Sequence, residues 1–244
     1  MDSMQPRPGR PLLSAAARPW ACALLVLCGF LVAVLGALFA HQTTAGRLDH
    51  AIDARIIAMV GGTGDLAGWL AFPGTLGPAA AVSAVIAAGC LLARRLNGAV
   101  LAAAAVPAAT GLNDGLLKPL VHRTYNGALT FPSGHTTTVF ALAMTVTVLL
   151  VMPPRAGMAA RAGMAAALRV PVPAAACAAG CVVAAGVIGL RWHYFTDTVA
   201  GAALGTGTVC ALALLIDLAA ARLRPARDRR DAPQDHRAPG ELLR

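Results

Sequence analysis

The sequence predicts an all-α polytopic membrane protein whose six transmembrane helices pack in a bundle. Hydrophobic residues make up 57% of its 244 residues and charged residues only 13%, and the mean hydropathy is +0.67. A soluble domain of this length carries about a quarter charged residues. The apolar residues also form runs near the roughly 20 residues that a helix needs to cross a bilayer. These runs lie at about 20–40, 69–93, 98–117, 136–152, 173–191 and 198–219.

The six runs differ in how clearly each predicts a span. The first is too long for the apolar part of a signal peptide, so we expect an uncleaved anchor. The second contains Pro73, and its helix is expected to begin only near Pro78. The third, fifth and sixth have the length of full spans, whereas the fourth is short.

The segments outside the spans are rich in Pro, Arg and Asp and have little apolar surface to bury. We therefore expect one membrane domain at 20–220, between a disordered cytoplasmic N-terminus at 1–19 and a disordered basic cytoplasmic tail at 221–244. The loop before the fifth span contains a direct repeat at 155–166, to which we attach no function. All six cysteines fall in predicted spans without metal or redox spacing, so no disulfide framework is expected.

The basic residues predict the orientation of the bundle. With a cytoplasmic N-terminus, 15 of the 20 Lys and Arg residues fall in cytoplasmic segments, which is the side that positive residues favour. We therefore expect both termini in the cytoplasm, and we attribute the net charge of +9 to topology and lipid headgroups rather than to nucleic acid. The five outer cations are Arg47, Arg55, Lys118, Arg123 and Arg191.

Arg47 and Arg55 have the acidic neighbours Asp49 and Asp53 in a segment with amphipathic spacing. This pattern predicts a helix that lies on the outer interface of the membrane.

The other outer cations belong to three clusters at the ends of predicted spans. Lys118, the sole lysine, ends the third span, and Pro132-Ser133-Gly134-His135 opens the fourth. The fifth span ends in Arg191-Trp192-His193-Tyr194-Phe195-Thr196-Asp197. The predicted topology places all three clusters on the outer face. Cations, a hydroxyl and imidazoles in such a place are what an enzyme that handles phosphate at a membrane surface needs.

The second cluster has the features of an anion site. Pro132 favours a first helical turn, and the free N–H groups of such a turn attract anions. Ser133 can donate a hydrogen bond, Gly134 lets an oxyanion approach the backbone, and His135 is placed for proton transfer. Taken alone, the tetrapeptide is also explained as a turn and a helix cap.

The third cluster places His193 and Asp197 four residues apart, on one face if the segment is helical. A carboxylate bonded to one ring nitrogen makes the other nitrogen a better nucleophile or base. Metal ligation by this pair is the competing interpretation, but no further ligands lie nearby, so we expect no metal and no cofactor. Asp114 precedes Lys118 by four residues in the third span, and we expect it to orient the lysine.

Together the clusters resemble the type-2 phosphatidic acid phosphatase family of membrane lipid phosphatases. Its pattern is Lys-x6-Arg-Pro, then Pro-Ser-Gly-His, then Ser-Arg-x5-His-x3-Asp. The resemblance implies a six-helix membrane bundle with the active site at its extracytoplasmic face. It runs from about 69 to 201, with direct matches at Lys118, at Pro132-Ser133-Gly134-His135 and at His193 and Asp197.

Two arginines of the family pattern are missing. Tyr125 stands where the first is expected and Val187 where the second is expected. Arg123 lies two residues before Tyr125, and Arg191 lies four residues after Val187, one turn along the same helical face. We therefore expect Arg123 and Arg191 to take over the two missing cations.

The resemblance implies a mechanism as well. His193 attacks phosphorus and forms a phosphohistidine, with Asp197 orienting it and stabilising its charge. His135 protonates the leaving lipid oxygen and then activates water. The phosphate oxygens are held without a metal by Lys118, Arg123, Ser133, Gly134 and Arg191.

Several alternatives stay open from the residues. The displaced arginines also fit a non-catalytic lipid-phosphate binder or transport accessory, and Ser133 with a histidine fits a serine hydrolase. A vanadate-dependent peroxidase is disfavoured because those relatives are soluble. The expected partners are a lipid phosphate substrate and membrane lipids, and the oligomeric state is not indicated. Candidate substrates are polyprenyl diphosphate, phosphatidate, phosphatidylglycerophosphate and a polyprenyl-linked sugar phosphate, among which the cell-envelope isoprenoids suit the Arg- and Ala-rich composition.

Overall fold

The fold is given by a computed structural model that describes residues 11–62, 64–151, 167 and 170–230. Helices account for almost all of the ordered elements in these ranges. A 3-10 turn at Phe72–Gly74 and a π-helical turn at Asn113–Leu117 interrupt them. The helices are α1 (Ala17–Phe39), α2 (Arg47–Val60), α3 (Gly64–Ala71), α4 (Leu76–Leu92), α5 (Leu96–Leu112), α6 (Lys118–Val121), α7 (Gly134–Val151), α8 (Pro171–Gly189) and α9 (Phe195–Arg230).

Each of the six predicted spans contains a helix, and the chain is a multi-pass membrane protein. Four stretches are long and apolar enough to cross a bilayer, namely α1, α8, Leu96–Val121 and Phe195–Leu223. Helices α4 and α7 are also apolar but shorter. Helices α2 and α3 are bent by 115° and together could form a broken span or a re-entrant loop. The count of six spans and the interfacial position of α2 therefore stay predictions.

The second span begins close to where its proline predicts. Pro73 lies in the 3-10 turn, Thr75 is extended, and α4 starts at Leu76. The turn also packs against the start of α7, where a Cβ added to Gly74 would lie 2.9 Å from the Cβ and the carbonyl oxygen of His135. This turn therefore forms a wall beside the second cluster.

Helix α9 packs against α7 through two glycines, Gly201 and Gly205. Small residues four apart let two membrane helices approach closely. A Cβ on Gly201 would collide with the Thr136 hydroxyl and the Ser133 carbonyl, and one on Gly205 would collide with the Thr137 carbonyl. This close contact holds the starts of α7 and α9 side by side, at the end of the bundle where α5 and α8 finish.

The N-terminal segment packs at the opposite end of the bundle. The Asp217 carboxylate in α9 accepts the backbone N–H groups of Leu12 at 2.6 Å and Leu13 at 3.0 Å, and both leucines are buried. Both leucines belong to the segment 1–19 and α9 runs to Arg230, while the domain boundaries at 20 and 220 stay predictions. The repeat at 155–166 lies outside the described residues.

Candidate active site

One cavity of about 960 Å³ brings the three clusters together at the end of the bundle. Its wall includes Lys118, Gly134, His135, Arg191 and His193, which come from three separate parts of the chain. A second cavity of about 630 Å³ lies between α1, α5 and α9, and no charged or imidazole side chain lines it. The first cavity is therefore the candidate active site.

Lys118 reaches the cavity from the π-helical turn. Its Nζ lies 2.8 Å from Asp114 Oδ1, which is the ion pair that the sequence predicts. The open side of Gly134 faces the lysine, since a Cβ there would lie 4.0 Å from Nζ. A phosphate oxygen between Lys118 and Gly134 would meet a cation on one side and no side chain on the other.

Asn113 fixes the start of α7 from inside the bundle. Its side chain is fully buried. In the amide orientation that pairs every donor with an acceptor, its oxygen accepts the Gly134 N–H at 3.3 Å and the Thr137 hydroxyl at 3.1 Å, and its nitrogen donates to the Pro132 carbonyl at 3.1 Å. The Gly134 N–H, expected to bind phosphate, thus already has an acceptor. An asparagine inside an apolar span is the sequence signal from which this contact could have been predicted.

His193 is oriented by a backbone carbonyl rather than by Asp197. Its Nδ1 lies 2.9 Å from the Thr130 carbonyl oxygen. A carbonyl only accepts, so Nδ1 carries the proton and Nε2 keeps a free lone pair. Asp197 Oδ2 lies 3.9 Å from Nδ1, too far for a hydrogen bond, and instead accepts the backbone N–H of Tyr194 at 3.0 Å. The expected orientation of His193 by direct bonding to Asp197 is therefore corrected: α9 starts only at Phe195, so the two residues do not share a helix.

The two histidines face each other across the cavity, with ring centroids 6.3 Å apart. Burial, with His135 and Lys118 adding to its effect, lowers the pKa of His193 to about 3. The hydrogen bond to Thr130 acts in the opposite direction. His193 is therefore neutral at ordinary pH, as a nucleophile must be.

We predict that His193 does not titrate between about pH 5 and about pH 8, the interval in which histidines usually change charge. Because its pKa is lowered, the neutral form is already complete at the acid end of this interval. The ring signals of His193 in an NMR titration of the full protein in micelles should stay fixed, with His193→Gln used to assign them. Movement of these signals with a midpoint inside the interval would contradict the prediction.

Arg123 lies behind the cavity and not on its wall. Its side chain is fully buried, with Nη1 2.6 Å from Asp197 Oδ1 and Nη2 2.6 Å from Asp49 Oδ2. Both ends of the guanidinium are thus occupied by carboxylates. The prediction that Arg123 is a phosphate ligand is wrong, because a short hairpin turns its side chain inward.

That hairpin pairs Thr124–Tyr125 with Ala128–Leu129 around Asn126 and Gly127. Both turn residues have positive φ, 50° and 83°, as an Asn-Gly hairpin turn requires. Tyr125, which replaces a family arginine, lines the cavity. Asn-Gly in a short polar loop was the sequence signal for this hairpin.

Arg191 lines the cavity but is not on a helical face shared with Val187. Helix α8 ends at Gly189, and Arg191 has a φ of 58°. Its N–H donates to the Ile188 carbonyl at 2.8 Å and the Trp192 N–H donates to the Val187 carbonyl at 3.0 Å, which is a Schellman ending. Val187 is fully buried and does not line the cavity.

Ser133 stands at the edge of the site. It is fully buried, and its hydroxyl has no hydrogen-bond partner among the described residues. Its N–H donates to the Asp197 carbonyl at 2.9 Å. A buried hydroxyl without a partner next to the turn that is expected to bind an anion agrees with a donor that is used when a ligand binds.

Two residues of the site were missed from the sequence. Thr130 acts through its carbonyl, which leaves no side-chain pattern. The sequence predicts that Asp49 belongs to an interfacial helix, yet its side chain is fully buried. The spacing of Asp49 and Asp53 by four residues was the available signal, since it places both acids on one face of α2.

This architecture defines a class of protein: polytopic helical membrane proteins with two facing imidazoles at one end of the helix bundle. Residues 100–220, about half of the chain, match the model of the PAP2 superfamily. This part of the chain, which holds every cation and imidazole of the cavity wall, belongs to that superfamily, as the motif resemblance predicts.

A solved structure also shares the fold. It is described as the first transmembrane PAP2 type phosphatidylglycerolphosphate phosphatase from Bacillus subtilis. The match has a TM-score of 0.57 and 16% sequence identity, and it covers 83% of this chain and 96% of that chain. No curated protein matches the sequence.

Proposed function

We propose that the protein is an integral membrane lipid phosphatase that hydrolyses a phosphate monoester or diphosphate of a lipid through a phosphohistidine. The observation that carries this proposal is the neutral, oriented imidazole of His193, which faces His135 in a cavity that also holds Lys118 and Arg191. The superfamily match and the shared fold support a phosphatase.

In the first step the Nε2 lone pair of His193 forms a bond to phosphorus while the bond from phosphorus to the leaving oxygen breaks, which is the lipid oxygen of a monoester or the bridging oxygen of a diphosphate. Protonated His135 gives its proton to that oxygen. In the second step His135 takes a proton from water, the water oxygen bonds to phosphorus, and the N–P bond breaks and returns its electron pair to Nε2. Lys118 and Arg191 stabilise the negative charge on the phosphate oxygens in both steps.

The remaining polar groups have supporting roles in this proposal. Ser133 donates its unpartnered hydroxyl to the bound phosphate. Asp114 holds the ammonium of Lys118 toward the cavity. Asp197 stabilises the positive charge that His193 gains, from 3.9 Å and without a direct hydrogen bond.

The proposal is tested by phosphate release from purified protein with EDTA present. The panel comprises phosphatidate, phosphatidylglycerophosphate, a polyprenyl diphosphate and a polyprenyl-linked sugar phosphate. Release from at least one of them, absent from His193→Ala protein purified in the same way, is the expected result. Lipid-phosphate binding without release from any of them would favour the non-catalytic binder instead.

We also propose that the cavity opens on the extracytoplasmic side. The start of α1 and the end of α9 lie at the opposite end of the bundle, where the basic residues concentrate. A cysteine at Asn126, at the tip of the hairpin, should react with a membrane-impermeant reagent in intact cells, and one at Arg94 should not. The reverse labelling pattern would mean that the cavity opens on the cytoplasmic side.

A further inference from the structure

The buried guanidinium of Arg123 connects three separate parts of the chain. Besides its two carboxylate partners, it donates to the Thr196 hydroxyl at 2.7 Å. The guanidinium carbon lies 4.2 Å from the ring centroids of both Phe39 and Tyr194, within the range of a cation–π contact. A side chain held by this many partners has one orientation, and whatever it contacts is fixed with it.

Arg123 reaches His193 by two routes. Its backbone carbonyl accepts the Thr130 N–H at 3.0 Å, and the Thr130 carbonyl in turn holds Nδ1 of His193. Its Nη1 holds Asp197, whose other oxygen accepts the N–H of Tyr194, the residue that follows His193. The position of the imidazole therefore depends on the position of Arg123.

Asp49 is the second carboxylate that holds the guanidinium of Arg123. Its Oδ2 accepts from Nη2 at 2.6 Å and from the Thr196 hydroxyl at 3.1 Å, and its Oδ1 accepts the Thr196 N–H at 2.9 Å. The Gly46 N–H also donates to Oδ2, at 3.3 Å. The planar guanidinium presents one terminal nitrogen to each carboxylate, so loss of Asp49 would leave Nη2 buried without its ion pair and free the side chain to turn.

We propose that Asp49 is a positioning residue for the nucleophile His193 and acts through Arg123. The inference rests on the proposed function as far as catalysis is concerned, whereas the orientation of the imidazole is a property of the protein alone. It brings α2, which the sequence assigns to the membrane interface, into the support of the active site.

Asp53 provides a matched control on the same helix. Its Oδ1 accepts the Phe195 N–H at 3.0 Å, so it also binds the first turn of α9, but it makes no hydrogen bond with Arg123. An asparagine at 53 keeps an acceptor for that N–H. An asparagine at 49 must turn its amide nitrogen toward either the guanidinium or the Thr196 N–H, both of which are donors.

Kinetics of the full-length protein separate positioning from structural support. Asp49→Asn should lower kcat by about tenfold to a hundredfold, the range expected for a small misplacement of a reacting group, and leave KM unchanged. Asp53→Asn should leave both values unchanged. An unchanged kcat in Asp49→Asn, or an equal loss in Asp53→Asn, would overturn the proposal. Should Asp49→Asn not fold, Asp49→Glu keeps the charge but moves the carboxylate, and a lower kcat is again expected.

A double variant tests whether Asp49 acts through Arg123. If it does, Arg123→Met/Asp49→Asn should have the same kcat as Arg123→Met, because the second change removes a partner that no longer has a function. Losses that multiply would mean that the two residues act independently and would overturn the proposal.

The ring nitrogens of His193 give a readout that needs no activity. In ¹⁵N spectra of the full protein in micelles, the parent protein and Asp53→Asn should contain one tautomer, with the proton on Nδ1. Asp49→Asn should contain both tautomers, because the Thr130 carbonyl is no longer held in place. An unchanged spectrum in Asp49→Asn would overturn the positioning proposal even if phosphatase activity is found. A changed spectrum in a protein without phosphatase activity would sustain it and reject the proposed function alone.

Discussion

His193→Ala protein is expected to release no phosphate from any lipid phosphate that the parent protein hydrolyses. The substitution removes the atom proposed to form the covalent intermediate, the free Nε2 of an imidazole held at Nδ1 by Thr130. Loss of a nucleophile that works as part of a unit costs at least about a thousandfold in turnover. Phosphate release from labelled lipid, measured with the two proteins at equal concentration, gives the result.

The same experiment can identify the intermediate. Brief incubation with phosphate-labelled lipid and an alkaline quench, under which phosphohistidine survives, should leave label on the parent protein and none on His193→Ala. His122→Ala is the matched control, because His122 is exposed, stacks on His41 with ring centroids 5.9 Å apart, and does not line the cavity. Full activity in His193→Ala, or label that persists in it, would rule out the proposed nucleophile.

Substitutions of Arg191 are expected to lower activity, and one of them, Arg191→Gly, is expected to raise stability at the same time. Arg191→Ala should lower turnover by about a hundredfold to a thousandfold, as loss of one donor to a transition-state oxyanion does. Arg191→Gly should lose as much activity but unfold at a higher temperature, because glycine adopts a φ of 58° without the strain of a side chain. Arg191→Lys should recover little, since an ammonium lacks the paired donors of a guanidinium.

Arg94 supplies the control for the backbone effect. It ends α4 in the same way, with a φ of 55°, and its N–H donates to the Leu91 carbonyl at 2.8 Å. It lies at the other end of the bundle from the cavity, so Arg94→Gly should raise the melting temperature and leave turnover unchanged. Normal turnover in Arg191→Ala would mean that Arg191 is only an interfacial anchor. A loss of turnover in Arg94→Gly equal to that in Arg191→Gly would mean that the backbone change, and not the missing guanidinium, lowers activity.

The spans and the three clusters could be predicted because their signals are local. A long apolar run, a Pro-Ser-Gly-His turn and a lone lysine at a span end each occupy a few neighbouring residues. The contacts that orient the site are not local. Arg123 meets Asp49 across 74 residues and His193 meets Thr130 across 63. Neither pairing leaves a periodic trace in the sequence.

The two displaced arginines show how such a prediction fails. Both predictions count residues along an uninterrupted helix or loop. In the structure the helix before Arg191 ends two residues earlier, and the loop that carries Arg123 folds into a hairpin. Arg191 still reaches the cavity from its new backbone conformation, whereas Arg123 points inward to its carboxylates. Helix ends and tight turns decide such cases, and both are set by a few residues of backbone geometry.

The π-helical turn at Asn113–Leu117 has a consequence for how this region can change during evolution. The Lys118 N–H bonds to the Asn113 carbonyl five residues back, so this turn contains one residue more than an α-helical turn. Loss of one residue here would restore a regular helix and rotate everything after it by about 100°, the angle between successive residues. Lys118 would then leave the cavity while Asn113 stayed in contact with α7. The length of this stretch is therefore not free to vary.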